Sequence, residues 1–176
     1  TGSGTAASLG FPDIGLVTMT EMVENAARIA SASELPVIAD ADTGYGNELN
    51  VTRTVREYES RGVAGLHLED QVTPKRCGHL DGKEVIPVDQ YVSKIRAAVA
   101  AKSDPDFLII ARTDSRTSLG LDEALRRGEA YRNAGADVVF IESPETVEEM
   151  RKICDTFKGV PTLANMIVIL AKETAV

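Results

Sequence analysis

The residues from Ala64 to His79 carry the densest chemistry in the chain. An apolar run, Ala64-Gly-Leu-His-Leu68, ends in two acids, Glu69 and Asp70. A polar loop follows, with Lys75, Arg76, Cys77 and His79 within five positions. A strand that brings carboxylates to its C-terminal tip, with a Cys/His/Lys loop thrown over that tip, is an arrangement for chemistry. Taken alone, the same residues also fit a charged, solvated turn. What separates the two readings is that four further strand ends in the chain also finish in polar groups.

Asp40 and Asp42 are the first of these. Two apart on a strand end, they point to one face, and Glu69 on the next tip completes a set of hard oxygen ligands. Asp13 adds a fourth acid. Oxygen ligands without a thiolate suit magnesium, which keeps several waters and takes part of its shell from substrate. The competing reading is a loop capped by Asp side chains, which the following Thr43-Gly-Tyr-Gly46 also permits.

Arg112 leaves an apolar strand and is costly there unless paired. It can grip a substrate carboxylate with two N–H groups or pair with Asp114, the first being modestly preferred. Glu142 carries the same choice. Asn165 can hydrogen-bond a carboxylate or brace a turn, and Thr1, Gly2 and Ser3 can offer backbone N–H groups and hydroxyls to an anionic oxygen. Lys75, Arg76 and His79 surround Cys77 with positive charge, which lowers a thiol pKa. Cys77 is then a proton donor or a nucleophile. The donor role ranks higher because an acid cluster of metal type lies at the root of its loop. Cys154, at an apolar helix position, reads as core, and His67 is either a packed, hydrogen-bonded core histidine or a site residue, the first being preferred.

The elements that must hold these groups follow from periodicity. Thr1 to Gly4 reads as the end of a strand, and Thr18-Met-Thr-Glu21 is a capping box opening a helix over 19–32, with Met22, Val23, Ala26, Ile29 and Ala30 on one side. Apolar runs over 35–42, 63–68, 107–114, 136–142 and 160–165 read as strands of a sheet covered on both faces. Helical patterns over 51–60, 88–101, 121–134 and from Thr146 to Gly159 lie between them. Alternating strands and helices mean parallel β/α units with right-handed crossovers. Neither a dinucleotide fingerprint nor a Walker loop is present, which removes support for a nucleotide-binding doubly wound sheet. Polar residues at every tip favour a (β/α)8 barrel, in which the βα loops build one site. At 176 residues the chain is shorter than the ~250 of a complete barrel, so it is expected to be one partial-barrel domain. The strand-like text after Met166 suggests a segment lost near residue 167.

Composition bounds the function. Hydrophobic residues make up 43% of the chain, enough for one core, and the formal charge of −8 argues against nucleic-acid or anionic membrane surfaces. No apolar run approaches the ~20 residues of a membrane span. Two cysteines without CxxC spacing make a disulfide framework and a structural zinc site poor readings. The first residues read as interior sequence, so any leader would lie outside the chain.

Together these motifs resemble the isocitrate lyase/phosphoenolpyruvate mutase superfamily. The carrying segments are Lys75-Arg-Cys-Gly-His79 after Gly65-Leu-His-Leu-Glu-Asp-Gln71, Asp40-Ala-Asp-Thr-Gly-Tyr-Gly46, Ala111-Arg-Thr-Asp114 and Leu163-Ala-Asn165, in one order. Thr1 to Gly4 and Phe11-Pro-Asp-Ile-Gly15 fit as well. The resemblance implies a magnesium-dependent barrel enzyme, with Mn2+ a possible substitute, assembled as a homotetramer; the expected location is the cytoplasm, with an organelle left open by the interior-like first residues. It implies Asp40, Asp42 and Glu69 at the magnesium site with Asp13 nearby. Thr1, Gly2, Ser3 and Arg112, with Gly78, would cradle a 2-oxo acid. Glu142 and Asn165 would line the site, while Cys77, flanked by Lys75 and His79, would be the acid on a mobile loop. The cysteine is similar to that of carbon–carbon lyases of the 2-methylisocitrate and dimethylmalate type. The expected substrate is a small 2-hydroxy di- or tricarboxylate. An oxaloacetate hydrolase giving oxalate and acetate, and an inactive truncated barrel, are the alternatives. The sequence departs from the family by lacking the first strand, the last strand with its swapped helix, and the stretch expected after Met166.

Overall fold

A computed structural model describes residues 2–77 and 82–165. Thr1, Gly78, His79 and the proposed break near residue 167 lie outside the described residues. The described chain runs α1 (Gly2–Ser8), α2 (Met19–Ala32), β1 (Ile38–Asp40), α3 (Glu48–Ser60), β2 (Gly65–Glu69), α4 (Val88–Ala101), β3 (Leu108–Thr113), α5 (Ser115–Leu119), α6 (Leu121–Asn133), β4 (Val138–Ile141), α7 (Val147–Thr156) and β5 (Thr162–Leu163). The five strands form one sheet in the order β1-β2-β3-β4-β5, every pair parallel. Consecutive parallel strands joined by helices make every C-terminal strand end point the same way, so the tip residues share one rim.

Period-two alternation divides the strand residues between two faces. Leu66, Leu68, Ile109 and Ala111 pack with Tyr58, Tyr91 and Ile95 of the helices in the main core. Val139 and Ile141 pack against Ala124, Leu125, Ile153 and Phe157 of α6 and α7. The opposite face carries a smaller cluster of Ile110, Val138 and Phe140, with Leu108 and Leu163 against it. By the same alternation His67, Glu69 and Arg112 belong to that second face. The apolar cluster therefore floors the sheet, and the polar side chains stand above it at the strand ends.

Local signals explain most boundaries. Thr18 and Glu21 close the expected capping box on α2: Thr18 N donates to Glu21 Oε2 at 2.8 Å, and Glu21 N donates to Thr18 Oγ1 at 3.4 Å. Asn47 caps α3, its side chain accepting from the backbone N–H groups of Leu49 and Asn50. The α4 limits coincide with those expected.

Four expectations are corrected. Thr1 to Gly4 was read as a strand end, but Gly2–Ser8 is helical; small residues without a β-branched alternation give the strand no pleated surface to pack. β1 is three residues rather than eight, because Pro36 has no N–H to donate and Asp42 turns left-handed at φ 45°. The short α5 was not anticipated; its Ser-Arg-Thr-Ser-Leu sequence has no helical periodicity, and only Gly120 at its C-terminal end marks it. Cys154 is exposed rather than core, since Ile153 occupies the buried position of α7 and the next residue lies about 100° round the helix. Ile29 on α2 is likewise 46% exposed.

Candidate functional site

Three acids meet at the N-terminus of α1. A Cβ placed on Gly2 would lie 2.9 Å from Asp40 Oδ2, 3.2 Å from Asp42 Oδ1 and 3.4 Å from Asp13 Oδ1. One small region of space thus touches all three carboxylates, and only glycine leaves it open. Gly2 N donates to Asp40 Oδ2 at 2.6 Å, so this N–H holds an acid of the cluster, whereas the expectation had it holding a substrate oxygen. Ser3 follows on α1, solvent-exposed. Asp42 arrives by its left-handed backbone rather than by strand alternation, and Asp42 N donates to Asp40 Oδ1 at 3.1 Å. Tyr58 donates to the Asp40 carbonyl at 2.8 Å and Lys94 to the Thr43 carbonyl at 3.1 Å, which fixes the loop from below.

Lys75 enters this cluster from the Cys77 loop. Its Nζ is 2.5 Å from Asp13 Oδ1 and 2.9 Å from Asp42 Oδ1, with 5% of its side chain exposed. Burial disfavours the ammonium, yet Glu69, Asp42 and Asp13 outweigh it and hold the Lys75 pKa above its usual range. Burial and the neighbouring Asp40 charge push the Asp42 carboxyl up. Asp40 is held low in spite of its burial. The charges of His67 and Lys75 and the N–H groups of Gly2 and Asp42 outweigh that burial, while burial lowers the His67 pKa itself. His67 belongs with the site rather than the core. Its Nδ1 is 3.7 Å from Asp40 Oδ1, and its ring meets the edge of Phe140.

A second group centres on Arg112. Register places it beside Glu69 on one side and Phe140 on the other. Asp114 grips the guanidinium with two hydrogen bonds, Nε to Oδ2 and Nη2 to Oδ1, both 2.9 Å. Glu69 Oε2 lies 3.5 Å from Nε and Glu142 Oε2 3.7 Å from Nη1, while the guanidinium carbon stands 5.1 Å above the Phe140 ring. Burial pushes the Glu69 carboxyl well up despite Arg112. Glu142 is fully buried and accepts from Ser143 Oγ at 3.3 Å; Ser143 itself sits at φ 57°. Asn165 is half-buried beyond β5.

Unfilled polar atoms on this rim bear on whether it can hold a divalent ion. Among the described residues His67 Nδ1, Glu69 Oε1 and Glu142 Oε2 are buried without a hydrogen bond, while Asp42 Oδ1 meets the Lys75 ammonium at 2.9 Å. Buried polar atoms in native proteins are nearly always satisfied, so these are the points on the rim where a ligand or water can still make contact. Among the described residues no three acid, His or Cys side chains converge as a ready-made direct shell. A magnesium ion on this rim would have to bind through one or two of these carboxylates and take water for the rest of its shell.

Cys77 is a half-buried free thiol. Its loop is pinned at the neck: Val72 N donates to the Glu84 carbonyl, Ile86 N to the Asp70 carbonyl, and Gln71 bridges Val85. Gln71 also clamps Arg76, accepting from its N–H and donating to its carbonyl, both at 2.9 Å. A cavity of about 440 Å3 opens between this loop and Ile14, and no strand-tip acid is on its wall. Two residues of weight were missed as site residues. Asp70 is fully buried and accepts from Thr113, Asp114, Arg127 and Tyr131. Lys83 is buried against Asp114. The acid pair at 69–70 was a visible signal for the first, while nothing local marked Lys83.

With this geometry established, known proteins provide the context. A family model described as phosphoenolpyruvate phosphomutase matches residues 1–175. The chain belongs to the phosphoenolpyruvate mutase/isocitrate lyase superfamily. Within that superfamily it is 60% identical over 168 residues to 2,3-dimethylmalate lyase of Eubacterium barkeri, covering 95% of this chain and 58% of the relative. The structure of oxaloacetate acetylhydrolase in complex with 3,3-difluorooxalacetate superposes with a TM-score of 0.90 at 46% identity, over 94% of this chain and 57% of that one. Phosphonopyruvate hydrolase in complex with oxalate and Mg2+ superposes with a TM-score of 0.81 at 39% identity, over 93% and 58%. The chain therefore spans less than two thirds of the length of these superfamily members. Among the described residues no helix is long and apolar enough to cross a membrane.

Proposed function

We propose that the protein carrying this chain is a magnesium-dependent carbon–carbon lyase. Its substrate is a small 2-hydroxy di- or tricarboxylate of the dimethylmalate or 2-methylisocitrate kind, cleaved to a 2-oxo acid and an enolate that is then protonated to a saturated carboxylate. The observation that carries the reading is the pair of buried acceptors without a hydrogen bond, Glu69 Oε1 and Glu142 Oε2, whose carboxylates flank a buried arginine. The chain's 60% identity to a dimethylmalate lyase supports the substrate class.

A bound Mg2+, or Mn2+ in its place, would supply Lewis-acid stabilisation of negative charge on substrate oxygens. Asp40, Asp42 and Glu69, with Asp13 behind them, are the residues that would hold it. Arg112 binds the carboxylate of the 2-oxo acid end, oriented by Asp114 and desolvated over Phe140. Thr1, Ser3, Gly78 and Asn165 complete that end of the cradle, and Glu142 lines the bond that breaks and takes the 2-hydroxyl proton as the carbonyl forms and the bonding pair passes to the enolate. Cys77 donates its thiol proton to the enolate carbon, with Lys75 and His79 stabilising the thiolate left behind. The remaining parts of the reading are a single partial-barrel domain, a homotetramer of the full-length protein, and a cytoplasmic location.

The test is an assay of the full-length protein with 2,3-dimethylmalate and with 2-methylisocitrate, with Mg2+ and with EDTA. Release of a 2-oxo acid that EDTA abolishes supports the reading. A second reading, oxaloacetate hydrolysis, is favoured by the 46% identical acetylhydrolase. Oxalate formed from oxaloacetate, with neither lyase substrate cleaved, would replace the first by the second.

A further inference from the structure

Lys83 lies on the limb of the loop that returns from Cys77 towards α4. Its Nζ is 3.1 Å from Asp114 Oδ1, with 1% of the lysine side chain and none of the aspartate exposed. The same Oδ1 accepts from Arg112 Nη2 at 2.9 Å. One buried carboxylate is therefore shared between a cation from the loop and the guanidinium of the anion site. Backbone hydrogen bonds hold the limb at Glu84 and Ile86, immediately after Lys83, so the ammonium is delivered by a fixed piece of chain.

The charge arithmetic shows what this sharing does. Asp114, Glu69 and Glu142 all face Arg112. Even with Glu69 pushed towards its neutral form by burial, Asp114 and Glu142 outnumber a single guanidinium, which would offer an incoming anion little net attraction. A second buried cation on Asp114 offsets one of those charges. It also keeps the carboxylate in the orientation that engages Nε and Nη2, so that Nη1, 3.7 Å from Glu142, is the edge turned away from Asp114.

We infer that Lys83 is a positioning residue that acts through Asp114 on Arg112 and couples the returning limb of the Cys77 loop to the anion-binding end of the site. The inference rests on the proposed reading only in taking Arg112 as the group that meets a substrate carboxylate. Coupling of this kind is reciprocal: an anion on Arg112 tightens the limb by the same factor that the limb tightens the anion.

The experiment titrates oxalate into the full-length protein with Mg2+ present, as wild type, Lys83→Met and Lys83→Arg. K83M is expected to weaken oxalate roughly tenfold and to raise KM more than it lowers kcat, within the usual range of site-to-site coupling. K83R is expected to recover most of the affinity. Hydrogen exchange on the wild type should show oxalate protecting residues 82–86 together with 112–115. Oxalate affinity and KM unchanged in a folded K83M would overturn the inference. If K83M fails to fold, wild-type protection confined to 112–115 overturns it instead. Wild type that binds no oxalate would count against Arg112 as the anion holder, which is the proposed function's claim. In that event, unchanged exchange of residues 113–115 in K83M would remove the Lys83 tie separately.

Discussion

Lys75 Nζ lies 2.9 Å from Asp42 Oδ1, so a cation carried by the loop stands inside the acid cluster assigned to magnesium. With 5% and 7% of the two side chains exposed, solvent screens this pair little. Removing one partner of a buried pair costs about 3–5 kcal/mol, because the other charge stays buried. Lys75→Met should therefore lower the melting temperature in EDTA, and the deficit should narrow in millimolar Mg2+, which returns positive charge to the acids. Thermal melts with and without Mg2+ check this. An equal deficit in both conditions would place the metal elsewhere.

Gly2 is the open side of the same cluster. An alanine there would put its Cβ 2.9 Å from Asp40 Oδ2 and 3.2 Å from Asp42 Oδ1. Gly2→Ala is expected to cost about 1–3 kcal/mol through crowding. It should also weaken Mg2+ by roughly tenfold as the carboxylates are pushed apart, in the range seen when the support of metal ligands is disturbed. Calorimetric titration of Mg2+ into both forms reads the second effect directly.

Cys77 is proposed to end the reaction by giving up a proton. A serine hydroxyl in its place is a far weaker acid. Cys77→Ser should leave Mg2+ and oxalate affinities within about twofold, while turnover falls by the 10²–10⁴-fold typical of a lost general acid. Turnover retained in that variant would take the thiol out of the scheme.

Asp70 ties the β2 tip to β3 and α6. It accepts from Thr113 Oγ1 at 2.7 Å, Asp114 N at 3.0 Å, Arg127 Nη1 at 3.1 Å and Tyr131 OH at 2.7 Å. An amide keeps the shape but loses the charge and half the acceptor capacity. Asp70→Asn should destabilise the fold by about 1–3 kcal/mol, since buried donors lose part of their acceptor while Arg127 keeps Glu123 and the Ile86 carbonyl. The urea midpoint measures it, and an unchanged midpoint would show that these donors are satisfied without the Asp70 charge.

Glu59 supplies a pH test remote from the acids. Its carboxylate accepts from Ser103 N, Ser103 Oγ and Asp104 N at 2.6–3.1 Å. Slight burial works to raise its pKa, but these donors outweigh it and the folded value lies below the ordinary 4.5. A depressed carboxyl stabilises the fold above its unfolded pKa, and the contribution disappears as pH falls through the folded value. Glu59→Ala should therefore lose about 1 kcal/mol at neutral pH, as for an ordinary hydrogen-bonded cap. The gap from wild type should close below pH 4.5. Denaturant melts from pH 7 to pH 3 follow it.

Much of this protein is written locally. Apolar runs broken by turn residues, alternating with helical stripes, were sufficient for a parallel β/α sheet, because burial on both faces and crossover handedness leave few other topologies. The polar residue at each strand end was also visible, so Asp40, Glu69, Arg112 and Glu142 could be named as neighbours before any coordinates. Tertiary structure alone decided which charge meets which. Lys75 folds back onto Asp13, 62 positions earlier, and Lys83 reaches Asp114, 31 positions later, and neither periodicity nor composition carries such pairings. They are set by strand register and by where a loop's neck is pinned. The same reason explains the errors: α1 and the exposed Cys154 depend on what packs against them, whereas a hydrophobic pattern reports only which residues avoid water.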